Sequence, residues 1–176
     1  MEELNRLTEL IRQRNANEEE ITALIGRPAA IGHVGEFIAS KIFGITLVQS
    51  ASHKSIDGHF ESGALAGRSV NIKWYAKLEN ILDITPEALP DFYLVLAGPK
   101  SEQMTSRGKV RPWVIESVYC FDALRLVKQL ESDKVKIGTA TSVKQRLWIE
   151  AEVYPKSNNR LIVLSNEQCR LLALFR

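Results

Sequence analysis

The chain has 176 residues, 45% hydrophobic and 25% charged, with a formal net charge of +2. That length suits one domain with a real core, and so small a charge gives no global field that favours or forbids nucleic acid. No apolar run of ~18 residues exists, so no membrane span is expected. The start Met-Glu-Glu-Leu-Asn-Arg lacks a signal-peptide pattern, and Cys120 and Cys169 lack metal-type spacing. These features predict a cytoplasmic protein with reduced core cysteines.

In chain order, Leu4, Leu7, Leu10 and Ile11 recur at helical spacing and predict an amphipathic helix over 2–14. Asn17 ahead of Glu18, Glu19 and Glu20 predicts a capped second helix, stopped by Gly26 and Pro28. The pair reads as a helical N-terminal extension over 1–31, packed on the domain or on a second copy; a helix-turn-helix is the alternative. A third helix over 32–43 carries Glu36 and closes at Gly44.

The period then changes from 3.6 to 2. Strands are predicted at 45–48, 56–61 and 68–77, with a polar loop at 49–55 and a hairpin connection at 62–67. Residues 90–97 are almost continuously apolar, as a central strand covered on both faces should be. Asp91 reads as the residue that starts it. A loop over 98–112, a strand over 113–121 and a helix capped by Asp122 follow. Next come a short strand over 135–140, a helix capped by Thr141 or Ser142 and running to Tyr154, and a short strand over 161–164. Ser165 to Gln168 forms a capping box for the last helix. The predicted fold is one α/β (α+β) domain over 1–176, a mixed central sheet flanked by helices. No glycine-rich phosphate loop follows a strand, which counts against nucleotide binding.

Strict alternation puts Val70, Ile72 and Trp74 on one face of the third strand and Ser69, Asn71 and Lys73 on the other. Asp57 lies on the preceding strand, so an acid, an amide and a lysine meet on two neighbours. Magnesium or manganese, held by hard oxygen ligands, polarises a phosphate and holds a nucleophilic water, and a nearby cation orients that water. His53 and His59 flank Asp57; with it they form a zinc-like spacing as an alternative. His53 and Lys54 are candidate phosphate contacts, and Tyr75 shares the Lys73 face. Lys100, Arg107, Lys109 and Arg111 make the loop over 98–112 cationic and able to grip a DNA backbone.

The arrangement resembles the PD-(D/E)xK nuclease superfamily, the restriction-endonuclease-like fold. Its core is a helix, a β-meander, then a helix and strand, and its motif is an aspartate starting the second strand and an acidic-x-lysine on the third. The resemblance covers roughly residues 32–97 and makes 32–176 a nuclease-like core. It implies that Asp57 bridges the metal, Glu36 and Glu61 assist it, Lys73 orients the water, and Asn71 stands in the acidic slot. It also implies a metal-dependent nuclease hydrolysing DNA, for which a homodimer would supply one site per strand. Because Asn71 is not acidic, the alternative is a non-catalytic module of this fold that binds nucleic acid or a protein. The rival dipeptide Pro90-Asp91 has no acidic-x-lysine on the following strand. The whole chain is also similar to a poorly characterised bacterial domain family, through Gly32-His-Val-Gly-Glu36, Ser52-His-Lys-Ser-Ile-Asp57-Gly, Leu65 to Tyr75, Pro90 to Leu96 and Lys136 to Val143.

Overall fold

The computed structural model describes residues 1–49, 55–100 and 111–176. At its centre the apolar run becomes β5 (Phe92–Ala97), with all six residues buried. Its alternate side chains enter two cores. Phe92, Leu94 and Leu96 join Ile38, Ile42 and Leu172 in one cluster; Tyr93, Val95 and Ala97 join Leu126, Leu130 and Trp148 in the other. Each large apolar side chain so buried contributes roughly 1.5–3 kcal/mol relative to exposure.

The other strands of the main sheet are β1 (Ile45–Leu47), β2 (Gly58–Phe60), β3 (Ser69–Tyr75), β6 (Ser117–Asp122) and β8 (Glu152–Tyr154), and a small ladder joins β4 (Ile81–Leu82) to β7 (Thr141–Ser142). The main sheet runs β1-β2-β3-β5-β6-β8. β1, β2 and β3 form an antiparallel meander, β3 pairs with β5 in parallel, and β6 and β8 follow antiparallel. Helices α2 (Ile31–Phe43) and α5 (Asn166–Ala173) supply one layer; α3 (Ala123–Ser132) and α4 (Gln145–Ala151) supply the other. The mixed α/β class expected from the sequence is the one observed.

Asp91 fixes where β3 and β5 begin. Its Oδ2 accepts from the Ser69 N–H at 2.8 Å and the Ser69 hydroxyl at 2.9 Å, and its own N–H donates to that hydroxyl at 2.9 Å. Arg68 adds an ion pair at 2.7 Å. Asp91 is thus the strand-start residue the sequence suggested. The link from β3 to β5, residues 76–91, carries β4 and no helix. That departs from the core pattern of the nuclease superfamily, and the helix α3 comes one strand later.

Several expected boundaries move. The N-terminal region is one helix, α1 (Glu2–Ile25), rather than two. No glycine or proline interrupts it, and Arg14 pairs with Glu18 at 2.7 Å across the expected break. Gly26 ends it at φ 71, with its N–H donating to the Thr22 carbonyl. A helix-turn-helix within 2–26 is therefore excluded. Thr141 and Ser142 pair with β4 instead of capping a helix. α4 stops at Ala151, and Val153 and Tyr154 extend the sheet as part of β8. Residues 161–164 form no strand. The caps at Asp122, Ser165 and Gly44 are as predicted. No helix among the described residues is long and apolar enough to cross a membrane.

Replacing Asp91 by Ala should strand the Ser69 N–H and leave the Ser69 hydroxyl without its acceptor, at a cost of roughly 1–3 kcal/mol. Urea unfolding is expected to show that loss as a lower midpoint with an unchanged slope.

Candidate active site

The register of β2 with β3 pairs Gly58 with Val70 and His59 with Ser69. Asp57 precedes the first paired residue, and on β3 Lys73 lies two residues beyond Asn71 on the same face. Asp57 is stitched in on both sides: its N–H donates to the Val70 carbonyl and its carbonyl accepts from the Val48 N–H, both at 2.9 Å. Its carboxylate Oδ2 then accepts the Ile72 N–H at 2.6 Å, taking the place of the next ladder rung. Gly58 beside it is not a turn residue. It is a buried strand position, where a Cβ would come within 2.6 Å of the Thr46 carbonyl of β1. The tight strand approach holds Asp57 at the edge of the ladder.

Burial pushes the Asp57 carboxyl above its ordinary value. The Ile72 hydrogen bond opposes that shift, the Glu36 charge reinforces it, and the charges of Lys73 and Arg27 oppose it. Glu36 is therefore an electrostatic neighbour of Asp57. It also forms an ion pair with Arg27, in the turn after α1. Arg27 was not among the sequence candidates, because its only sequence signal is a place in the turn ahead of the Glu36 helix.

Asn71 is buried, at 5% exposure, and its side-chain Oδ1 has no hydrogen-bond partner among the described residues. An unpaired buried acceptor is costly and points to a missing donor or a cation. On the parallel neighbour, Tyr93 is paired with Asn71 and buried, with the Thr85 backbone beside its hydroxyl. Tyr93 also escaped the sequence reading; only the register reveals that it shares a face with Asn71. Lys73, paired with Val95, is half-buried and makes no ion pair within 4.0 Å among the described residues.

The other candidates are distributed. Glu61 lies four residues along the strand from Asp57, roughly 13 Å at ~3.3 Å per residue. It accepts from the Thr46 hydroxyl at 2.8 Å, and the structure does not bring it to the site. His59 is exposed on the strand. Tyr75 is held away from solvent by Asp83: the Asp83 N–H donates to its hydroxyl at 3.1 Å, which in turn donates to the Asp83 carboxylate at 3.4 Å. Lys100, exposed, follows β5, and Arg111 is also exposed. His53, Lys54, Arg107 and Lys109 lie outside the described residues. Among the described residues no group of three or more His, Cys, Asp or Glu forms a ready metal cage.

The donor set suits a hard divalent cation. Asp57 offers its second carboxylate oxygen and Glu36 a second carboxylate whose current partner is Arg27, while the unpaired Asn71 amide oxygen lies on the face of β3 away from α2. No protein-family model matches the chain, and no curated protein matches it as a significant relative.

With the folded pKa of Asp57 raised, its ionised form works against folding at neutral pH, and the penalty fades as pH falls. Asp57→Asn, which keeps an acceptor for Ile72, should therefore raise Tm at neutral pH. The gain should vanish as pH approaches the ordinary carboxylate value of 3.8. Thermal melts of both proteins across that range check the sign.

Proposed function

We propose that the chain is a metal-dependent nuclease that hydrolyses DNA phosphodiester bonds, with Asp57, Asn71, Glu36 and Lys73 as its working residues. The observation that carries the reading is the unpaired Oδ1 of buried Asn71, one residue before the Ile72 N–H that binds a carboxyl whose charge burial disfavours, and two before a lysine without a carboxylate partner among the described residues. A site that keeps all three unfavourable features serves something other than stability.

Asp57 and Asn71 would hold a magnesium or manganese ion, with Glu36 as the second carboxylate. The ion supplies charge neutralisation at the phosphate and an activated water. Lys73 orients that water and offsets the charge that builds on the phosphate oxygens. Arg27 holds Glu36 in place and tempers its repulsion of Asp57. The exposed cations Lys100 and Arg111 lie on segments next to the end of β5 and suit contact with the strand backbone. Because metal binding needs an ionised Asp57, activity falls as pH drops through its raised pKa.

Two observations favour the second reading, a binding module without catalysis. Asn71 brings no negative charge to the ion, and Glu36 is already neutralised by Arg27. The two readings diverge on Asn71→Asp, which restores the acid and should raise cleavage several-fold only if the site binds metal.

The test is cleavage of supercoiled and single-stranded DNA with magnesium or manganese. Wild type should nick in a metal-dependent way, and Lys73→Ala should lose on the order of 10²–10³-fold in rate. Inert wild type and inert Asn71→Asp, both still binding DNA, would favour the module.

A further inference from the structure

We infer that α1 pairs with α1 of a second copy of this chain, antiparallel, in a single register set by Arg14 and Glu18. Nothing in this depends on the nuclease reading. No residue of α1 is buried, and Leu4, Leu7 and Ile11 are exposed at 63%, 52% and 47%. Leu4, Leu7, Ile11, Arg14, Glu18, Ile21 and Ile25 fall at alternating spacings of three and four. That spacing is a heptad seam, the pattern of a helix that packs along another helix. Two polar residues in the middle of such a seam fix register and orientation.

They fix one here. A parallel pair would set Arg14 against Arg14 and Glu18 against Glu18, four charges in two repulsive contacts. An antiparallel pair with its two-fold axis level with residue 16 sets Arg14 against the second copy's Glu18, twice. The same register brings Ile11 to Ile21 and Leu7 to Ile25, so apolar seam positions meet apolar ones on both sides of the charges. Within one helix Arg14 and Glu18 already touch at 2.7 Å, so the four side chains close into a ring of alternating charge. Exposed Leu10 and Leu24 flank the seam and widen it. The body of each chain sits at the C-terminal end of its α1, where it covers part of Glu18, Ile21 and Ile25 and leaves the rest of their surface to the second helix. Over a helix of ~36 Å the two bodies stay at opposite ends.

Light scattering on the size-separated full chain at micromolar concentration tests this. Wild type should have twice the 19.8 kDa chain mass. Arg14→Glu and Glu18→Arg should each raise the dissociation constant on the order of tenfold or more, because each makes both central contacts repulsive. An equal mixture of the two variants should recover the dimer. One variant then presents acid at both central seam positions and the other presents arginine at both, so each contact is again attractive. Recovery also shows that each variant folds. A monomeric wild type overturns the inference and leaves the seam to a different partner. So does a dimer that both single reversals leave intact, the result a parallel pair would give.

Discussion

The side chain of Asp91 and its own N–H make three hydrogen bonds with Ser69, and that one clamp sets the relation between β3 and β5. Parallel strands are joined by long connections, so nothing local to a turn fixes their register. With Ser69 held at the start of β5, Val70 must pair with Phe92, and every later pair follows. Asn71 then lies beside Tyr93 and Lys73 beside Val95. The placement of a polar face next to a strand buried on both sides is a consequence of that register, and the candidate site is built on it.

What results is a local conflict inside an otherwise consistent fold. The side of β3 that carries Val70, Ile72 and Trp74 joins the apolar core. The opposite side buries an amide oxygen with no partner among the described residues. One strand over, Asp57 is held where burial opposes its charge. A cation would ease the conflict at Asp57 and Asn71 together: it would coordinate the amide oxygen, favour the ionised carboxylate and give Lys73 a phosphate to face.

Much of this was legible in the sequence. β5 was readable because six apolar residues in a row suit a strand covered on both faces. The alternation from Ser69 to Tyr75 gave the faces of β3 correctly, and the caps at Asp122 and Ser165 marked two helices. Asp57 and Lys73 were likewise within reach, as a strand-borne acid and a lysine on neighbouring strands. Illegible were the features set by long-range pairing. Tyr93 joins the site only through a parallel register, Arg27 only through the angle between α1 and α2, and Glu61 leaves it because four strand residues carry it too far. β8 was hidden because Val153 and Tyr154 continue the helical spacing of α4. The break expected at Asn17 failed for the converse reason: a capping residue inside a run without glycine or proline is overridden by the Arg14–Glu18 pair and the helix continues.

Buried Asn71 keeps its oxygen for a metal ion, on the reading proposed for this site. Crystals soaked in manganese, with anomalous scattering measured at the manganese edge, test that role most directly. A peak bonded to Asp57 and to the Asn71 Oδ1, at roughly the 2.0–2.1 Å typical of small hard divalent cations, is the predicted result. A map without a peak there, with the Asn71 oxygen bonded instead to a protein donor, would contradict it.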